Sequence, residues 1–180
     1  DVHNPYDSYS AKNAVNRIMD ATLNQTLPPH SSRISFVLVR PSHPGNIGAA
    51  ARAIKTMGFT DLRVVAPVDP EYRTNPDAVA FSTSSVDVLK HSRDYPSLEA
   101  ALTDVALPFA MTGYSRRFGP ALETMRQSAD RAGLWAEENK GPGIAFVFGC
   151  ERSGLTNEEV GLCRFATAIP ANPLSQSLNL

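Results

Sequence analysis

The chain has 180 residues, 42% of them hydrophobic and 19% charged, enough for one domain with a substantial core. A net charge of −1 and a pI near 6.5 exclude a uniformly basic nucleic-acid surface, so any affinity for RNA must come from a local cluster of cations. Two cysteines exclude a disulfide framework, four histidines without ligand spacing point to no metal, and no apolar run has the length of a membrane span, so a cytoplasmic protein is expected.

Residues 1–32 read as a polar appendage, rich in Asn, Ser, Asp and Pro and closing with Pro28-Pro29-His30-Ser31-Ser32. Ala14, Val15, Ile18, Met19 and Leu23 fall at helical spacing within it. This segment is either one amphipathic helix that docks elsewhere or a half-ordered tail. The run from Ile34 to Val39 reads as a strand, followed by the turn-rich loop Arg40-Pro41-Ser42-His43-Pro44-Gly45-Asn46. A helix follows, with Ile47, Ala50, Ala51 and Ile54 on one face and Gly48, Arg52 and Lys55 on another. Gly58 closes it, and the strand Leu62 to Ala66 completes a βαβ unit with parallel pairing.

From Pro67 to Tyr95 the pattern weakens, with helical character around Asn75 to Ser82 and a short strand expected near Val86 to Leu89. Ser97 to Leu102 suits a short helix. Val105 to Met111 suits a strand, with Pro108 near its start or at a bulge. The polar loop Thr112 to Arg117 follows, and then a helix whose buried side is marked by Met125, Ala129, Ala132, Trp135 and Ala136. Ile144 to Phe148 is apolar on both faces, as a central parallel strand must be. After Gly149, Thr156 to Glu159 has the Thr-x-x-Glu form of a capping box. Phe165 to Ile169 forms a last apolar run before a polar loop. Alternating strands and helices argue for an α/β sheet with helices on both faces, whose ligand crevice lies outside the carboxyl ends of the strands.

Several stretches carry a choice between packing and chemistry. In Asn46 to Arg52, NIGAAAR, the small residues either let the helix pack closely or leave its start open to an anion. Neither GxGxxG nor the Walker lysine is present, and no serine has a nucleophile-elbow context. Glu151, just beyond a buried strand, is either in a structural salt bridge, for example to Arg52, or placed for function. Asn172-Pro173 with Ser177-Leu178-Asn179 supplies a rigid turn, a hydroxyl and a carboxamide, or else a capped helix start. Arg116 and Arg117, with Arg126 and Arg131, make either a solvated face or a phosphate contact.

In this order, NxGaaaR, FGxExxGL and ANP followed by SLN resemble the SPOUT superfamily of RNA methyltransferases, and within it the TrmH-type 2′-O-ribose group, over Ile34 to Leu180. The phrasing KTMGF, FGCERSGLTNEE and IPANPLSQSLNL is most similar to members that act on nucleotide 32 of the tRNA anticodon loop. The resemblance implies a SPOUT methyltransferase domain over residues 33–180, with a mostly parallel sheet and a C-terminal trefoil knot. It implies S-adenosylmethionine as methyl donor, tRNA as substrate, and a homodimer whose active site draws on both subunits.

Catalytic positions carry over as Asn46, Arg52, Glu151, Ser177 and Asn179. The methyl donor is expected against Thr112, Gly113, Tyr114, Gly149, Ile169, Gln176, Ser177 and Leu178. Arg40, Lys55, Arg116 and Arg117 are the candidate RNA-contacting cations. Arg52 holds the position the family assigns to activating the 2′-OH. Since a guanidinium keeps its proton, orienting the hydroxyl and stabilising alkoxide charge is an easier role for it than acting as a base. The family continues past the position of Leu180 into a helix that completes the knot, the cofactor pocket and the dimer contact, so a further C-terminal helix is expected. The rivals are an RNA-binding module of the same fold without turnover, and a nucleotide- or phosphate-binding α/β enzyme.

Overall fold

Six residues, Ile34–Val39, form β1, and their alternation sends Val37 and Val39 to one face of a sheet and Phe36 and Leu38 to the other. A computed structural model describes residues 27, 28, 30–113, 119–141 and 143–169 of the chain. The other strands are β2 (Asp61–Val65), β3 (Arg93–Tyr95), β4 (Val105–Met111), β5 (Leu122–Thr124), β6 (Gly143–Phe148) and β7 (Phe165–Ala168). They form one seven-stranded sheet in the order β3-β2-β1-β6-β4-β7-β5, and every pairing in it is parallel. The helices are α1 (Pro44–Thr56), α2 (Pro76–Ser82), α3 (Val86–Lys90), α4 (Leu98–Ala101), α5 (Met125–Glu138) and α6 (Asn157–Gly161).

Both faces of the sheet are covered, which is why its central strands are apolar throughout. On one face Val37, Val39, Val65, Ala110, Ala145 and Val147 pack with Leu98 and Ala101 of α4, Leu155, and Val160 of α6. On the other, Leu38, Leu62 and Val64 meet Ile47, Ala51 and Ile54 of α1, together with Val88 and Leu89 of α3. A row of stacked rings continues that face across four strands, Phe36 to Phe146 (6.0 Å), Phe146 to Phe109 (5.1 Å) and Phe109 to Phe165 (5.5 Å). Ala132 and Ala136 of α5 lie over it.

Pro108 sits inside β4, a strand paired on both sides, and the register slips beside it, between Val105 and Leu107. The irregularity accommodates the missing N–H, while the Pro108 carbonyl still accepts from Arg164 N at 2.9 Å.

Val86 to Leu89, expected as a strand, is the helix α3. Four residues, Val-Asp-Val-Leu, satisfy either periodicity, and the burial of Ser85, Val88 and Leu89 follows the helical one. β3 and β5 were not expected, because an edge strand of three residues with mostly exposed side chains leaves no apolar signature. On α5 the buried residue of the first turn is Ser128, not Ala129. Its hydroxyl meets that of Thr167 at 2.6 Å and donates to Glu123 Oε1 at 3.2 Å, so a polar contact takes an inward position that composition assigns to alanine. Gly48, expected on the outer face of α1 beside Arg52 and Lys55, is buried, because α2 crosses α1 there. The helix expected within residues 14–23 lies outside the described residues, as do residues 170–180 of the expected C-terminal trefoil knot.

Candidate active site at the carboxyl edge of the sheet

Because β1, β6, β4 and β7 are parallel neighbours, the loops that follow them leave the sheet side by side. These loops are 40–43 after β1, 149–156 after β6, Thr112 and Gly113 after β4, and Ile169 after β7.

The loop after β6 folds back on itself. Gly154 N donates to Cys150 O at 2.8 Å, and the two residues form an antiparallel bridge. A Cβ on Gly149 would overlap the backbone of Gly154 and Leu155, so the turn closes only over glycine. The glycine of FGxExxGL therefore serves the loop's own return path.

That return path delivers Glu151 to the β1–α1 loop. Its Oε2 accepts from Ser42 N at 3.0 Å and Ser42 Oγ at 2.8 Å. Its Oε1 accepts from Asn46 Nδ2 at 2.9 Å and, more distantly, from His43 N at 3.5 Å. Burial works to raise the Glu151 pKa, but the Asn46 amide and the Ser42 backbone outweigh it and bring it from 4.5 down to about 2. The sequence left a choice between a salt bridge to Arg52 and a functional placement. Among the described residues Glu151 is held by neutral donors, with no ion pair.

This settles what sits at the start of α1. His43 precedes the helix without a side-chain cap, and the negative group in the turn leading into α1 is the protein's own Glu151 carboxylate. An anion expected there from the small-residue pattern finds the position taken. The small residues serve packing instead, since a Cβ on Gly48 would overlap the carbonyl of Ala78 in α2.

A second bridge braces the same two loops. Arg40 follows β1 in the left-handed region at φ 51° and directs its guanidinium to Glu159, with Nη2 to Oε2 at 2.8 Å and Nε to Oε1 at 3.2 Å. Glu159 is also the closing residue of the capping box, accepting from Thr156 N at 2.7 Å while Glu159 N donates to Thr156 Oγ at 3.1 Å. One carboxylate therefore caps α6 and clasps the exit of β1. The sequence shows the capping box but not this second use, because Arg40's backbone conformation has no signature in its residue type.

Arg52 lies exposed on α1, and among the described residues it has no hydrogen-bonded or ion-paired partner. Lys55 is exposed and pairs with Asp87 at 2.8 Å while donating to Ser84 O at 3.0 Å. Thr112 N donates to Thr167 O at 2.9 Å, tying the exit of β4 to β7. A Cβ on Gly113 would meet nothing within 4 Å, and Ile169 is 48% exposed. An open glycine and an uncovered apolar side chain thus lie at the ends of the adjacent strands β4 and β7. Tyr114, Arg116, Arg117, Gln176, Ser177, Leu178 and Asn179 lie outside the described residues. Among the described residues no group of His, Cys, Asp and Glu is arranged to hold a metal ion.

The model of the SpoU rRNA Methylase family matches residues 33–180. The tRNA (cytidine/uridine-2′-O-)-methyltransferase TrmJ of Photorhabdus laumondii is 40% identical over 148 residues, which is 82% of this chain and 58% of that protein. The chain thus spans a little over half the length of that curated relative. The crystal structure of a probable methyltransferase from Bordetella pertussis Tohama I superposes with a TM-score of 0.77 at 44% identity, covering 82% of this chain and 86% of that one. TrmJ from Z. mobilis ZM4 superposes with a TM-score of 0.72 at 36% identity, covering 81% and 62%.

Proposed function

The chain belongs to the SpoU rRNA methylase family, and from that premise we propose that it methylates a ribose 2′-OH of tRNA, using S-adenosylmethionine and acting at nucleotide 32 of the anticodon loop. The observation that carries this reading is the grip of Glu151 on Asn46 and Ser42, which joins two of the three motifs into one locus at the carboxyl edge of the sheet. The catalytic domain is residues 33–180, preceded by the 1–32 appendage, and it works as a cytoplasmic homodimer. No helix among the described residues is long and apolar enough to cross a membrane.

S-adenosylmethionine, when bound, supplies an electrophilic methyl group on a sulfonium, which needs no metal. Gly113, open on its Cα side, and the half-exposed Ile169 fit its flat adenosine and would hold it at the ends of β4 and β7, with Thr112, with Gly149 after β6, and with Tyr114 and Gln176 to Leu178. The chain's own work is alignment and charge: the ribose oxygen must lie on the line of displacement, and its developing negative charge must be met. Arg52, exposed and free of described partners, would orient the hydroxyl and stabilise the negative charge that builds on its oxygen as the C–O bond forms and the methyl–sulfur bond breaks, the hydroxyl proton passing to solvent and the neutral thioether leaving. Glu151 fixes the loop that carries Asn46. Asn46, with its Nδ2 committed to Glu151, keeps its carbonyl oxygen for the ribose or for Arg52. Ser177 and Asn179 contribute through the substrate phosphate and the pocket wall. Arg40, Lys55, Arg116 and Arg117 provide positive potential for the RNA, with Arg40 and Lys55 already committed in part to Glu159 and Asp87.

The experiment is transfer of labelled methyl from S-adenosylmethionine to unmodified tRNA, with mapping of 2′-O-methyl positions and an rRNA control. Label at nucleotide 32 is expected. Label confined to rRNA would replace the substrate, and absence of transfer to any RNA would leave a binding module of the same fold.

A further inference from the structure

Phe81 is 58% exposed, and no other Phe, Tyr or Trp among the described residues is as open to solvent. It stands on α2, whose position against α1 is set where Gly48 lets the Ala78 carbonyl approach. The same crossing brings the Phe81 ring to Gly45, where a Cβ would lie 3.2 Å from ring Cδ2 and 3.5 Å from Cε2. Gly45 is the residue before Asn46, so the ring flanks the loop that Glu151 holds. α2 is fixed at both ends. Asn75 Oδ1 accepts from Asp77 N at 3.0 Å, and Thr83, a β-branched residue at φ 49° and ψ −116°, ends the helix in a conformation that only surrounding structure can maintain.

We propose that Phe81 is a stacking platform for an unpaired base of the RNA substrate next to the target nucleotide. The inference rests on the methyltransferase reading above. Sequence-specific RNA recognition depends on splayed bases laid on aromatic rings, and a rigidly mounted ring beside the reacting ribose is where such a base would fall. The contact is to a base rather than to the phosphate chain. Asp77, also beside Gly45 on α2, adds negative charge to the surroundings of the ring, which disfavours a phosphate there. Phe81 thereby holds the substrate in register while taking no part in the chemistry.

The test compares wild type with F81A, F81L and F81W in the full chain. F81A and F81L are expected to raise KM for unmodified tRNA about 5- to 100-fold, with kcat at saturation and affinity for S-adenosylhomocysteine unchanged. F81W is expected to restore KM and to show indole fluorescence quenched on addition of tRNA, above the background from Trp135. A wild-type KM in F81L would overturn the proposal, as apolar bulk without a ring would then suffice. A changed sedimentation coefficient in F81A would also overturn it, by making the surface a contact between copies. Unquenched F81W beside an active wild type sinks stacking alone. Quenched F81W beside a wild type that methylates no RNA sinks the enzymatic reading and keeps the platform.

Discussion

The carboxylate of Glu151 and the side-chain amide of Asn46 meet at 2.9 Å across 105 residues of chain. Through that one hydrogen bond the loop after β6 and the first turn of α1 become a single unit, and the Ser42 contacts make the union rigid.

Glu151→Gln keeps the side chain's shape but weakens its acceptance from four donors, on Ser42, His43 and Asn46. Turnover on tRNA should fall roughly 10- to 100-fold through misplacement of the Asn46 loop. KM for S-adenosylmethionine should hardly change, a split that simple unfolding would not produce. Loss of the charge-assisted bonds at this partly exposed site should cost about 1 kcal/mol of stability, read from denaturant melts.

The same group predicts a pH dependence. The Glu151 pKa is depressed from 4.5 to about 2 in the folded protein. Its stabilising contribution is therefore fully present above the unfolded value, and it is lost as the pH drops from about 4.5 towards 2. The stability gap between wild type and Glu151→Gln should be nearly constant from about pH 8 to about pH 5 and should shrink below that range. A gap that widens on acidification would contradict the assignment.

Arg52→Ala should reduce kcat about 100-fold or more while leaving affinity for S-adenosylhomocysteine intact by calorimetry. Because Arg52 is exposed and makes no hydrogen bond or ion pair among the described residues, the melting temperature of the variant should match that of wild type. Loss of cofactor binding with undiminished turnover at saturation would refute its role at the hydroxyl.

Gly48→Ala tests whether the small-residue helix face serves packing. The added methyl group would overlap the Ala78 carbonyl, so α2 must shift, at a cost of about 1–3 kcal/mol. Ala49→Gly, one position away on the same helix, should cost only about 1 kcal/mol through helix propensity. Equal effects of the two in thermal melts would remove the packing argument.

The central strands were legible because burial on both faces leaves an uninterrupted apolar run, as in Ile144 to Phe148, and the capping box at Thr156 was legible because it is local. What could not be read has a common origin in distance along the chain. Glu151 stood out as a carboxylate past a buried strand, but its partners Ser42 and Asn46 are chosen by strand order, which composition does not encode. Gly48 reads as a place where either a phosphate or another backbone can come close, and the position of Ala78 shows that it is the backbone of α2. Arg40 resembles a free surface cation until Glu159 is seen to serve it and the α6 cap together.

An all-parallel sheet has no hairpins, and this carries a consequence for biogenesis. β1 can pair with β2 soon after both are made, but its other side has no neighbour until β6 has been synthesised about a hundred residues later. The clasp between Glu151 and Asn46 can form only then, so Asn46 waits 105 residues for its partner. The union of these two loops is a late, long-range event, a report that the middle of the sheet has closed.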